Sequence, residues 1–162
     1  MDASSIRAAR VLWDAGKSLE AGRVLFEALP AGDRPFWAGA ILQFCCEYAA
    51  TIPPEVAAVL QLTHKRSEWH HGHEIFDALR RLTLRIERNE MPADAMLSGI
   101  VALAECVAKV TYNAISPGDP FDTDSGWWIV SNVDWIRQHI ADKAFGDRAW
   151  NLLSGEEPKK ER

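Results

Sequence analysis

The chain has little of what usually announces a chemistry. Its three cysteines, Cys45, Cys46 and Cys106, are an odd number with two adjacent, which is neither a disulfide framework nor a Cys-x-x-Cys metal or redox spacing. They read as buried thiols in a reducing compartment. There is no Gly-x-Ser-x-Gly elbow, no His-Glu-x-x-His and no dinucleotide glycine fingerprint. Gly16-Lys17-Ser18 matches the end of a phosphate-binding loop, but Val11 occupies the place of its first glycine and no strand precedes it. No window alternates apolar and polar residues for long enough to require a strand. The start, Met1-Asp2-Ala3-Ser4-Ser5, lacks the basic-then-apolar order of a secretory leader. The most apolar stretch, Met96 to Val110, is shorter than the about 20 residues that span a bilayer and carries Glu105 and Lys109. The expectation is a cytoplasmic protein that does not enter a membrane.

What is present is ordinary for a folded domain: 48% hydrophobic and 25% charged residues in a chain of 162, enough to bury a core without cross-links. The expected organisation is a single helical domain over residues 1–153 followed by a polar tail at 154–162. A formal charge of −5 repels a phosphate backbone, so nucleic acid is disfavoured unless a local basic patch recruits it.

Two short helices are predicted at about Ser5 to Ala15 and Ser18 to Leu29, with Gly16-Lys17 between them and Pro30-Ala31-Gly32-Asp33 closing the pair. Ala9 and Leu12 in the first helix, with Gly16, Ala21, Ala28 and Leu29 after it, give this stretch a likeness to one familiar unit. It resembles a single tetratricopeptide repeat. The resemblance covers about residues 5–30, implies a helical hairpin, and has no second copy further along. Helices follow from Phe36 to Ala50, Glu55 to Leu62, and Glu68 to Arg88, the last with Ile75, Leu79, Leu82 and Ile86 on one stripe. Another opens at Pro92-Ala93-Asp94 and runs to about Tyr112, apolar almost all round and so expected at the centre. Gly126 to Ile140, with Ile129, Val133, Ile136 and Ile140 inward, and Lys143 to Leu153 complete an all-α, irregular bundle of six to eight helices with an N-terminal hairpin.

Ionisable groups are densest at Glu68-Trp69-His70-His71-Gly72-His73-Glu74 and Asp77. On a continuous helix His70, His73, Glu74 and Asp77 fall on one face at a spacing that ligates Zn, Fe or Mn. Glu68 and His71 also form a Glu-x-x-His pair of the di-iron type. That type of site needs a second pair and two further glutamates, for which Glu47 and Glu105 are the candidates. The plainer account is a solvated polar face with Asp77 paired to Arg81, and on it no cofactor is expected. Asp122, Asp124 and Gly126 resemble the opening of a calcium loop, yet the glycine comes one residue early and Val133 lies near the place of the bidentate Glu. Capping of the next helix by Asp124 or Ser125, with Phe121 packed over the junction, accounts for them better.

Tryptophan is abundant, with seven residues. Trp127 and Trp128 point ~100° apart on a helix, so both cannot share the Ile129/Val133/Ile136/Ile140 seam. Trp128, Asn132, Trp135 and His139 form a separate stripe that either lies under another helix or anchors a protein interface. Arg81, Arg85 and Arg88 line a second face, which suits solvent, the helix dipole or an acidic partner. The leading expectation is a small acidic module that binds another protein or itself, as an adaptor or an inhibitor of the immunity-protein kind. Its interface residues are Trp127, Trp128, Trp135, His139, Arg81, Arg85 and Arg88. The alternative is a metal-binding protein or metal-dependent enzyme built on His70, His73, Glu74 and Asp77.

Overall fold

The computed structural model describes residues 1–115, 125–140 and 142–156, without the side chains of 125–127. The readings for Phe121, Asp122 and Asp124, the Ser125 cap, the Trp127 side chain and the tail beyond residue 156 lie outside these residues.

Among the described residues the chain is all helix, with no strand. The elements are α1 (Ala3–Asp14), α2 (Ser18–Ala28), a 3₁₀ turn (Ala31–Asp33), α3 (Arg34–Cys46), α4 (Pro54–His64), a second 3₁₀ segment (Arg66–His71), α5 (Gly72–Glu87), α6 (Ala95–Ile115), α7 (Ser125–Arg137) and α8 (Phe145–Ser154).

Local chemistry sets most of these boundaries. Asp2 caps α1 by accepting the Ser5 N–H at 2.7 Å, satisfying one of the free donors of the first turn. Gly16, at φ +77°, ends it: Lys17 N–H bonds Leu12 C=O and Gly16 N–H bonds Trp13 C=O, the paired closure that a left-handed residue permits. The same closure ends α5, with Asn89 at φ +55° in the left-handed position, Glu90 N–H on Arg85 C=O and Asn89 N–H on Ile86 C=O. The predicted hairpin is thus present, α1 packing along α2.

Several predicted boundaries move, α7 among them, which ends at Arg137 rather than Ile140. α3 stops at Cys46 rather than Ala50, because Glu47, Tyr48 and Ala49 close it with N–H bonds three residues back. The predicted helix from Glu68 starts at Gly72, its first turns being wound instead as 3₁₀ over Arg66–His71. α6 extends to Ile115 and reaches 21 residues, so it is long and apolar enough, by length and composition, to cross a membrane. In this fold half of its most apolar window is buried.

α6 is the axis of the bundle, as its all-round apolar character predicts. α3, α4, α5 and α7 pack on it, while α2 backs α7 and α8 closes over α3. Leu79 and Leu82 of α5 and Ile129, Val133 and Ile136 of α7 are buried, with Ile75, Ile86 and Ile140 packed at the edges. Each fully buried aliphatic chain contributes about 1.5–3 kcal/mol of transfer free energy. Trp37, Trp69 and Trp150 join this core, and Trp37 Nε1–H is satisfied by Leu153 C=O at 2.9 Å, tying α3 to α8. Cys45 and Cys46 are buried as expected, whereas Cys106 is half-buried. Burial pushes the Cys46 thiol up to about 11 and the Cys45 thiol further up, away from reactive thiolate.

Candidate functional site

α7 is held from two sides by glycines. A Cβ on Gly22 of α2 would lie 2.3 Å from Val130 Cγ2, and one on Gly99 of α6 would lie 2.2 Å from Trp135 Cζ3. The two missing side chains let α2 and α6 approach α7 more closely than any other residue allows. α6 thus reaches α7 at Trp135 and α2 reaches it at Val130, with the Ile129/Val133/Ile136 seam buried.

The predicted stripe flanks that seam at about 100°, and the structure divides it. Trp128 is 55% exposed. Trp135 is half-buried, its ring lying over Gly99. Asn132 donates from Nδ2 to Trp128 C=O at 2.7 Å and lies 3.8 Å from Cys106 Sγ. His139 Nδ1 sits 2.9 Å from Trp135 C=O, and its ring lies on the Trp135 ring at 4.2 Å between centroids. The row is therefore pre-shaped: Asn132 and His139 are each tied one turn back, and Trp135 is wedged between α6 and His139. Ser131 and Gln138 fall on the same side at ~100° per residue, and both are at least partly exposed. Trp128, Ser131, Asn132, Trp135, Gln138 and His139 are uncharged, and Asp134, partly exposed, borders them.

At the His139 end the stripe opens into a cleft of about 720 Å³, walled by Tyr48, Ala49, Ala50 and Thr51 after α3, by Pro92, Ala93 and Asp94, and by Met96 and Leu97 of α6. One of these residues, Tyr48, is held by a polar network that sequence reasoning missed. Tyr48 Oη–H donates to Asp142 Oδ2 at 2.9 Å, and Arg148 donates to Tyr48 Oη at 2.8 Å and to Glu47 Oε2 at 3.0 Å. The Arg148 guanidinium also lies over the Phe44 ring, 4.6 Å from its centroid. Burial and then the bond to Asp142 raise the Tyr48 phenol above its ordinary value. The Ala144 N–H and then the Tyr48 hydroxyl hold the Asp142 carboxyl below its own. Glu47 and Tyr48 lie about 100 residues from Arg148 in the chain, and no local pattern links such distant positions.

The ionisable cluster near residue 70 does not assemble as its spacing predicts. Only His73, Glu74 and Asp77 are on α5; His70 belongs to the 3₁₀ segment, whose tighter winding of about 3.0 residues per turn breaks the i, i+3, i+4, i+7 register. His73 faces Asp77 at 3.4 Å and rests edge-on against Tyr112. His71 instead lies between Glu68, 3.3 Å from its Nε2, and Glu74, 3.8 Å from its Nδ1, beside a groove of about 690 Å³ shared with His64 and Lys65. The His70 ring lies 3.9 Å from that of His71, tilted 42° to it. Among the described residues no three His, Cys, Asp or Glu side chains are grouped to hold a metal ion. Glu105 is taken up by the Thr83 hydroxyl, with Arg80 at 3.6 Å, and Glu47 by Arg148.

Arg81, Arg85 and Arg88 are exposed at the end of α5, and Leu84 beside them is also exposed. They belong to a different helix from the aromatic row; α5 and α7 each pack on α6. No protein-family model, no curated protein and no solved structure matches this chain.

Proposed function

We propose that the protein works by binding another polypeptide through the outward face of α7, in the manner of a small adaptor or inhibitor. The observation that carries this reading is Trp128, a large aromatic more than half exposed, with Asn132, Trp135 and His139 behind it in fixed positions. An exposed tryptophan buries much apolar area at the cost of two side-chain torsions, which is why such residues anchor interfaces. The bonds from Asn132 and His139 lower the ordering cost of association further. The arginines of α5 supply no comparable anchor.

The test is a photo-crosslinking amino acid placed at Ser131, in the middle of the row, with a second chain labelled at Arg85 as control. Irradiated in extract of the source cells, the Ser131 label is expected to give a polypeptide adduct that Trp128→Ala removes. An adduct from Arg85 with none from Ser131 overturns the α7 reading and moves the interface to α5.

A further inference from the structure

We infer that the arginine face at the end of α5 is a second docking surface, one that takes a short acidic polypeptide segment. Carboxylates of the segment meet Arg81, Arg85 and Arg88, and an apolar side chain among them meets Leu84. The inference is independent of the α7 reading, and three observations carry it.

The first is the order of charge along the helix. Arg81 and Arg85 stand four residues apart and Arg85 and Arg88 three, so all three share one side of α5. Like charges at these spacings repel and weaken a helix. Elsewhere the chain uses the same spacing in the opposite sense: Arg10 meets Asp14 and Arg23 meets Glu27, each at 3.1 Å. The helix dipole favours cations in the last turn, which accounts for Arg85 and Arg88 but not for Arg81, a turn further back on the same side.

The second is that the molecule does not satisfy these arginines itself. Among the described residues none of the three makes an ion pair, whereas Arg80 beside them lies 3.6 Å from Glu105 and Arg148 lies 3.0 Å from Glu47. The carboxylates nearest in sequence are turned to other places. Asp77, one turn before Arg81, faces His73 at 3.4 Å. Glu87 lies ~100° round the helix from Arg88, and Glu90 follows the end of α5.

The third is Leu84, 38% exposed and one turn before Arg88, which sets an apolar spot within the basic frame. Guanidinium groups hold carboxylates through two parallel N–H···O bonds, and Leu84 adds a contact that a phosphodiester backbone does not use. The formal charge of −5 on the whole chain opposes a long polyanion that must run on past the rest of the surface. A short segment stays within about one Debye length, ~8 Å, of the arginines and escapes most of that repulsion. Arg81 to Arg88 covers about 10 Å of helix axis, which an extended segment of about three residues or a helical one of about seven spans.

Fluorescence anisotropy tests this with the full chain titrated into a short labelled peptide of glutamates around a central leucine. Binding is expected at about 10–300 µM in low salt, weakening as salt is raised to about 0.15 M, and lost when Gln replaces Glu in the peptide. Arg81→Gln/Arg85→Gln/Arg88→Gln should weaken it at least about tenfold and Leu84→Ala about threefold. Arg7→Gln/Lys17→Gln/Lys65→Gln removes the same charge from exposed positions elsewhere and should change it less than about twofold. Trp128→Ala should leave it unchanged, so that the result is separate from the fate of the α7 reading. No binding up to about 1 mM overturns the inference, as does an equal loss in the two triple variants. Tighter binding of a single-stranded oligonucleotide of the same charge overturns it in favour of nucleic acid, and a loss with Trp128→Ala as large as with the arginine triple moves the peptide to α7.

Discussion

Gly99→Ala joins the fold to the candidate surface in one substitution. An alanine Cβ at this position lies 2.2 Å from Trp135 Cζ3 and 2.5 Å from Cε3, well inside van der Waals contact, so the indole must move. Overpacking of this kind costs about 1–3 kcal/mol. Replacing glycine by alanine inside a helix returns about 0.5–1 kcal/mol. The net expectation is destabilisation by about 1 kcal/mol, a fall in Tm of about 2–4 °C for a chain of this size. Removing the ring reverses the sign: in a Trp135→Ala background, Gly99→Ala is expected to stabilise by about 0.5–1 kcal/mol, giving a coupling of about 2 kcal/mol between the two positions. Urea unfolding of the four proteins, followed by far-ultraviolet circular dichroism, measures each term. If Gly99→Ala stabilises equally with and without Trp135, the glycine does not hold α7 against α6, and the account of how the aromatic row is presented fails with it.

Three further outcomes follow from contacts elsewhere. Trp37→Phe removes the donor to Leu153 C=O together with the pyrrole half of the buried indole; it should cost at least about 1–2 kcal/mol, and a change within measurement error would show that the α3–α8 tie is dispensable. Tyr48 and Asp142 predict opposite limbs of a stability–pH curve. The raised phenol contributes stability that is complete below the ordinary tyrosine value near pH ~10 and is lost as pH rises through the higher folded value. The lowered carboxyl contributes stability present above about pH 4 that is lost as pH falls through its lower folded value. Tyr48→Phe should flatten the alkaline limb and shrink the acid one, and equilibrium unfolding across pH detects either. Cys45 and Cys46, with thiols raised by burial, should resist a thiol reagent in native buffer and react fully in denaturant; prompt native labelling of either, located by mass spectrometry of peptides, contradicts their placement in the core.

The helices were legible because a helix is a local object. The apolar stripes at Leu79/Leu82 and Ile129/Val133/Ile136 and the turn at Gly16 depend on residues within a few positions of one another, and the N-terminal hairpin followed from the same signals. The 3₁₀ winding of Arg66–His71 was not legible, since its departure from an α-helix is decided by packing: Trp69 is driven into the core beside Phe36 while Gly72 sits tightly on Ala108 and Tyr112 of α6. That shift of a few residues separates His70 from His73 and changes which imidazole meets which carboxylate.

The aromatic row shows the division most clearly. Its membership, Trp128, Asn132, Trp135 and His139, followed from helical periodicity alone, because 3.6 residues per turn places those positions on one side whatever surrounds them. Whether the row lay under another helix or faced outward was decided by packing: α6 closes on Trp135 at Gly99, while Trp128 at the other end is left exposed. The cleft at its end depends on Tyr48, Arg148 and Asp142 meeting across some hundred residues. Sequence by itself determined the local periods, caps and stops, which are short-range energies. Tertiary structure alone decided exposure, partners and cavities, because each depends on which surfaces the whole chain has already buried.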